Sequence, residues 1–239
     1  MNRRVLVVGG SHEYVGAPYL AAIAALRSGA ESVVVMAPEK VAWIINALSP
    51  DLITRKLKGK YLSSVHTPAI MRQLKTADVL VLGNGATTRS QTATLMHRLA
   101  KWPGLKVIDA DALKVLRDSS LRNTILTPNA GEWKLLQQHT EVKKILAQGN
   151  VIIKKGMPTQ ILSAKKKFRQ QRTNPGLVKA GTGDVLAGLC AGYLARGLTL
   201  FAAAKKAATI GNAIADILTR KKKGYFFLAS DIVGEIRRL

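Results

Sequence analysis

Cysteine is nearly absent: Cys190 is the only one in 239 residues, so no internal disulfide can form. It lies in a segment of small residues, where a buried, inert thiol is expected, and the cytoplasm is the default compartment. Aromatic residues, at 5%, leave few platforms on which single-stranded nucleic acid could stack. No apolar run is long enough for a membrane span. The opening Met1-Asn2-Arg3-Arg4 precedes an apolar stretch, Val5 to Val8, that is too short for a signal peptide and runs into Gly9-Gly10-Ser11 without a cleavage pattern. It reads as a first strand. Repeats, linkers and low-complexity segments are also missing, so residues 1–239 are expected to form a single domain; dividing them would leave two small cores.

Acidic residues are few. Fourteen Asp and Glu stand against 37 Lys and Arg, a net charge of +23 that would attract nucleic acid, acidic surfaces or phosphorylated metabolites. The runs Lys165-Lys166-Lys167 and Lys221-Lys222-Lys223 are not interleaved with aromatics. A solvated basic surface is therefore expected, and nucleic acid is not the expected partner.

What the chain does have is alternation. Short β-branched runs (Val5–Val8, Ser32–Met36, Leu52–Thr54, Val79–Leu82, Lys106–Ile108, Thr124–Leu126) are separated by helical stretches. These helices are expected at Tyr19–Ser28, at Lys40–Leu48 with Pro38 at a first-turn position, at Ala69–Lys75, Ser90–Ala100 and Ala112–Arg117, and from about Gly131. Several strands are apolar throughout, as burial on both faces demands, so an α/β fold with a parallel sheet covered on both sides is predicted. Then the pattern changes. Val151–Lys154 and Thr159–Leu162 flank a turn, and Lys165–Phe168 is expected as a third strand of a small antiparallel edge. A glycine- and proline-punctuated loop, Asn174–Gly183, precedes helices Asp184–Arg196, Leu200–Arg220 and Ser230–Arg237.

The chemistry concentrates at Ala180-Gly181-Thr182-Gly183-Asp184. Two glycines let a backbone approach a ligand and aim N–H groups at it, and the following helix offers its positive end to an anion. Asp184 has two readings. It is a helix N-cap, or it takes a proton from a hydroxyl attacking a phosphoryl group held by those amides. Gly9-Gly10 hints at a dinucleotide fingerprint, but the spacing of Gly-x-Gly-x-x-Gly is not met.

Six elements in order carry a resemblance. They are Gly10–Pro18 with Leu20–Ala22 and Ala25–Ala30; Asp109-Ala110-Asp111-Ala112-Leu113; Thr127-Pro128-Asn129-Ala130-Gly131-Glu132; Lys155-Gly156-Met157-Pro158-Thr159; Asn174-Pro175-Gly176 before Gly-Thr-Gly-Asp; and Ala229-Ser230-Asp231. Together they resemble the ADP/ATP-dependent NAD(P)H-hydrate dehydratases of the ribokinase-like superfamily over nearly the whole chain. The resemblance implies a ribokinase-like fold, ADP or ATP as co-substrate with Mg²⁺, and hydrated NADH or NADPH as substrate. In that reaction the ring hydroxyl is phosphorylated and phosphate is then eliminated.

It implies roles as well. Lys155, Gly156, Met157, Pro158 and Thr159 would contact the adenosine, and Gly181, Thr182 and Gly183 the phosphates, with Asp184 as base. Ala17, Gly83, Gly85, Thr87, Asp109, Asn129 and Asp184 would line the substrate, and Glu132 would hold Mg²⁺ through water. Asp111 is a further carboxylate expected at a strand end. Two departures stand out: the family's Gly-Pro-Gly-Leu-Gly is Gly83-Asn84-Gly85-Ala86-Thr87 here, and its turn histidine is Asn129. Members are commonly homotetramers, for which Trp43 or Trp133 could serve an interface, and epimerisation would fall to a separate chain. Two other readings stay open: a vitamin or small-molecule kinase of the pyridoxal or hydroxymethylpyrimidine type, and an inactive homologue that binds nucleic acid or a partner.

Overall fold

The computed structural model describes residues 3–236. The described residues build one nine-stranded sheet. Its strands are β1 (Arg4–Val8), β2 (Ser32–Pro38), β3 (Ile53–Leu57), β4 (Val79–Leu82), β5 (Leu105–Ile108), β6 (Thr124–Leu126), β7 (Val151–Lys154), β8 (Gln160–Leu162) and β9 (Lys167–Arg169). The spatial order is β3-β2-β1-β4-β5-β6-β7-β8-β9. Pairing is parallel from β3 through β7, and β8 and β9 add the expected antiparallel edge.

The uniform apolarity of the strands has a direct cause. Val5 and Val7 of β1 point into one core, whereas Leu6 and Val8 point into the other, and all four are buried. The same division separates Val79 and Val81 from Leu80 and Leu82 on β4. The first core is covered by α1 (Gly16–Arg27), α2 (Glu39–Leu48), α8 (Thr182–Ala195), α9 (Leu200–Lys221) and α10 (Ala229–Glu235). The second is covered by α3 (Thr67–Leu74), α4 (Ser90–Ala100), α5 (Asp111–Val115), α6 (Ala130–His139) and α7 (Val142–Ala147).

Helix α8 is apolar almost all round, as a helix buried at the centre of a fold must be. It lies very close to α1. A Cβ on Gly188 would stand 2.2 Å from the Ala21 carbonyl oxygen and 2.7 Å from the Ala24 methyl. The small residues of both helices thus fix the position of the α8 N-terminus over the sheet. Among the described residues no helix is long and apolar enough to cross a membrane.

Several sequence expectations need correction. Pro38 is the last residue of β2 and the N-cap of α2, not a first-turn residue. Helix α1 begins three residues earlier than expected, at Gly16. The short helix α7 and a 3-10 turn at Ser64–His66 were not anticipated, and a second such turn, Pro175–Val178, stands inside the expected loop. Strand β9 begins at Lys167 rather than Lys165. The last helix starts at Ala229, and Arg237, its expected end, lies outside the described residues.

The basic runs also find their places. Lys165 and Lys166 belong to the connection between β8 and β9. Lys221 and Lys222, at the negative end of α9, lie 2.8 Å from Glu235 and Asp231 respectively.

Candidate functional site

The carboxyl ends of β4 to β7 deliver Gly83 and Asn84, Asp109, Thr127 and Lys155 to one edge of the sheet. The strand order reverses direction between β1 and β4, and open α/β sheets bind ligands outside such a point. Helix α8 brings its first turn to the same place. Its N-cap is Gly181, at φ +85°, where a Cβ would stand 2.8 Å from Leu20 and 2.9 Å from Ala229. Only glycine fits there without strain.

Asp184 is therefore the third residue of the helix and not its cap, which removes the first of its two readings. The first-turn N–H groups of Gly183 and Asp184 have no carbonyl one turn earlier within the helix. Thr182 is committed to structure: its one hydroxyl hydrogen is shared between the carbonyls of Leu177, at 2.6 Å, and Lys179, at 2.7 Å.

A cleft of about 470 Å³ opens in front of this turn. Residues 155–157 and Thr159 form one wall, residues 177–184 another, and Asp109, Asn129 and Ala130 the floor. Pro158 follows Met157 through a cis peptide and is not part of the lining. Thr159 braces its own loop, its N–H donating to Thr173 Oγ1 at 2.8 Å and its hydroxyl to the Gly156 carbonyl at 3.1 Å.

Below the cleft lies a connected set of charges. Asp109 Oδ1 accepts from Thr127 Oγ1 at 2.6 Å and from Lys155 Nζ at 2.9 Å. Its Oδ2 accepts from Asn84 Nδ2 at 3.0 Å, and the same Nδ2 donates to Asp184 Oδ1 at 2.6 Å. Lys155 also lies 3.8 Å from Glu132. Burial pushes the Asp184 carboxyl up to about 7, helped by the Asp109 charge and opposed by the Asn84 hydrogen bond and Lys155. Burial raises Glu132 too, against the pull of Lys155. Burial opposes the charge on Lys155, but Asp109 and Glu132 outweigh it and hold the ammonium above its ordinary value.

The sequence that builds this cleft has relatives. The family model for NAD(P)H-hydrate dehydratase matches residues 5–238. The chain belongs to that family. It is 36% identical to a bifunctional NAD(P)H-hydrate repair enzyme of Methanothermobacter thermautotrophicus, over 98% of this chain and 49% of that protein. With an ADP-dependent (S)-NAD(P)H-hydrate dehydratase of Cenarchaeum symbiosum the identity is 34%, over 97% of this chain and 86% of the other. The chain thus spans about half the length of the first of these curated relatives. Among solved structures, the Bacillus subtilis ADP/ATP-dependent NAD(P)H-hydrate dehydratase, co-crystallised with ATP and Mg²⁺, superposes with a TM-score of 0.78. Its identity is 21%, over 98% of this chain and 91% of that one. The fold is ribokinase-like.

The remaining expected residues of the family pattern fall on a second group of loops. Ala17, in the first turn of α1, faces Gly85: a Cβ on that glycine would stand 3.1 Å from the Ala17 methyl. Gly83 packs on the Asp109 backbone. Thr87, at φ +71°, donates its N–H to Asp111 Oδ2 at 2.8 Å, while Asp111 Oδ1 receives Lys114 at 2.8 Å. Asp184 lines the cleft and reaches these loops through Asn84, so it joins the two groups. Asn129 and Glu132 form a reciprocal cap of α6, with Asn129 N–H to Glu132 Oε2 at 2.8 Å and Glu132 N–H to Asn129 Oδ1 at 2.9 Å.

One central residue escaped the sequence reading. Asn84 stands in the motif only as a departure from the family's proline, and that departure was the available signal. Thr173 and Asn212 also line the cleft without any motif to announce them.

Proposed function

We propose that this chain carries out nucleotide-dependent dehydration of hydrated NADH or NADPH, with the phosphoryl donor in the cleft and Asp184 as the base. The observation that carries this is the Asp184 carboxyl. It lines the cleft beside a glycine turn at a helix N-terminus, and burial sets its proton affinity near neutrality. A base of that strength is matched to taking a proton at pH 7. The names of the two relatives given above, a hydrate repair enzyme and a hydrate dehydratase, support this substrate over a vitamin kinase.

Lys155, Gly156, Met157 and Thr159, with residues 177–183, would bind the adenine nucleotide, with the first-turn amides of α8 facing its phosphates. Ala17, Gly83, Gly85, Thr87 and Asn129 would shape the place of the nicotinamide ring. Asp184 takes the proton of the ring hydroxyl as its oxygen bonds to phosphorus and the phosphoanhydride bond breaks. The ring nitrogen's lone pair then expels phosphate, a far better leaving group than hydroxide, and loss of the neighbouring ring proton restores the reduced dinucleotide.

The residues present suit Mg²⁺. Asp109, Asp111, Glu132 and Asp184 stand against two ammonium groups, Lys155 and Lys114, an excess of negative charge that would otherwise repel phosphate. Mg²⁺ keeps most of its waters and takes few protein ligands. Glu132 would hold it through water, and when bound it would neutralise phosphate charge.

The deciding experiment is incubation with hydrated NADH or NADPH and ADP or ATP, following the return of reduced-ring absorbance. The parent chain restores it and Asp184→Asn does not. Equal turnover by that variant would sink the assignment.

A further inference from the structure

Asn84 is fully buried and sits directly after Gly83 at the end of β4. Its backbone carbonyl accepts the Gly10 N–H at 2.8 Å, tying it to the end of β1. Both hydrogens of its amide face carboxylates, Asp109 Oδ2 and Asp184 Oδ1. Its own Oδ1 is buried and has no hydrogen-bond partner among the described residues. An amide placed for stability would satisfy its carbonyl, and an apolar side chain of that size would avoid the cost altogether. This side chain serves the two acids and not the core around it.

We infer that Asn84 is a positioning residue for Asp184: its amide fixes Oδ1 of the carboxylate and leaves Oδ2 to receive the proton of the acceptor hydroxyl. The second N–H anchors the arrangement to Asp109, itself held by Thr127 and Lys155. Through Asn84, then, Asp184 on a helix inherits the rigidity of strand ends β5 to β7. The same hydrogen bond favours the ionised carboxylate, against burial and the Asp109 charge.

The inference rests on Asp184 being the base, so the test includes a measurement that needs no turnover. Asp184 is followed by carboxyl carbon NMR across pH in ¹³C-labelled parent chain, Asn84→Ala and Asn84→Asp, with Asp184→Asn assigning the resonance. The Asp184 midpoint is expected to rise by about one pH unit in Asn84→Ala, and further in Asn84→Asp, where a carboxylate replaces the donor. The acid limb of kcat moves with it. At pH 7 turnover in Asn84→Ala falls at least about fivefold, because a base with midpoint one unit higher is about one-tenth ionised instead of half, while KM for nucleotide holds within about twofold. Should alanine fail to fold, Asn84→Ser takes its place. An Asp184 midpoint that stays put in these variants overturns the inference. A midpoint that moves in a chain unable to repair the hydrate upholds the positioning and refutes the function proposed above.

Discussion

Lys155 at the end of β7 and Asp109 at the end of β5 meet across β6, ammonium to carboxylate at 2.9 Å, with Asp109 only 1% exposed. The pair is what lets three acids share one small volume. Asp109, Glu132 and Asp184 each feel the Lys155 charge, and Lys155 is held protonated by them.

Lys155→Met should therefore be costly in two ways. Breaking a buried pair from one side destabilises by about 3–5 kcal/mol, since the Asp109 charge is left buried with only the neutral donors Thr127 and Asn84. It also strengthens proton binding by Asp184, so turnover at pH 7 falls and the acid limb moves to higher pH. Adding Asp109→Asn should restore part of the stability. A denaturant double-mutant cycle showing no coupling between the two positions would contradict this account.

Asp184→Asn should be more stable than the parent at alkaline pH while being inactive. The Asp184 carboxyl titrates near 3.8 when free and near 7 in the fold. Between those values the folded chain retains a proton that the unfolded chain has released, so stability declines as pH rises from about 4 to 7, by up to about 4 kcal/mol. Asparagine is neutral throughout and can still accept the Asn84 hydrogen bond. Thermal melts should coincide near pH 4 and differ by several degrees, about 5 °C or more, at pH 8. A variant melting below the parent at pH 8 would reverse the sign.

Thr87→Gly is expected to stabilise. A β-branched residue at φ +71° is strained, and the Thr87 hydroxyl is buried with no partner among the described residues. Glycine relieves both and keeps the backbone N–H bond to Asp111. Its greater freedom in the unfolded chain offsets part of the gain, leaving about 1 kcal/mol, readable as a shift in urea midpoint at constant m. A lower midpoint would show that the strain is compensated elsewhere.

The sheet was legible because its strands are buried on both faces. Runs such as Val79–Leu82 carry no polar alternation to confuse the reading, and parallel pairing follows from the helices between them. Helix α7 was not, because Val142–Ala147 is six residues long and exposes its lysines, giving no periodic stripe to detect. At the site, the glycine turn and Asp184 were readable from local chemistry, yet which residue caps α8 was decided only by backbone geometry. Asn129 and Glu132 have the spacing of a reciprocal cap, and that is what they form. The place of Asn84 between Asp109 and Asp184 was invisible: its partners lie 25 and 100 positions away, and only the fold brings them within reach.

Asn174 supports the wall of the cleft rather than its chemistry, and this too can be measured. Fully buried, it donates its N–H to Asn212 Oδ1 at 2.7 Å and its amide hydrogens to Asp216 Oδ1 at 2.7 Å and Thr219 Oγ1 at 2.9 Å, while its Oδ1 accepts from Gly176 N–H at 2.9 Å. These bonds moor the turn that carries Leu177 and Val178 to helix α9. Asn174→Ala deletes three of them and should cost about 2–3 kcal/mol, with KM for nucleotide rising more than kcat falls. Asn174→Asp keeps the shape but turns donors into acceptors facing the Asp216 carboxylate. Its loss of stability should be largest at neutral pH and shrink as pH falls and the new carboxyl takes up a proton that replaces one of the lost donors. Melts of both variants from pH 4 to 8 separate the two effects: the alanine deficit stays level, and an aspartate deficit that also stayed level would show that Asp216 is not its cause.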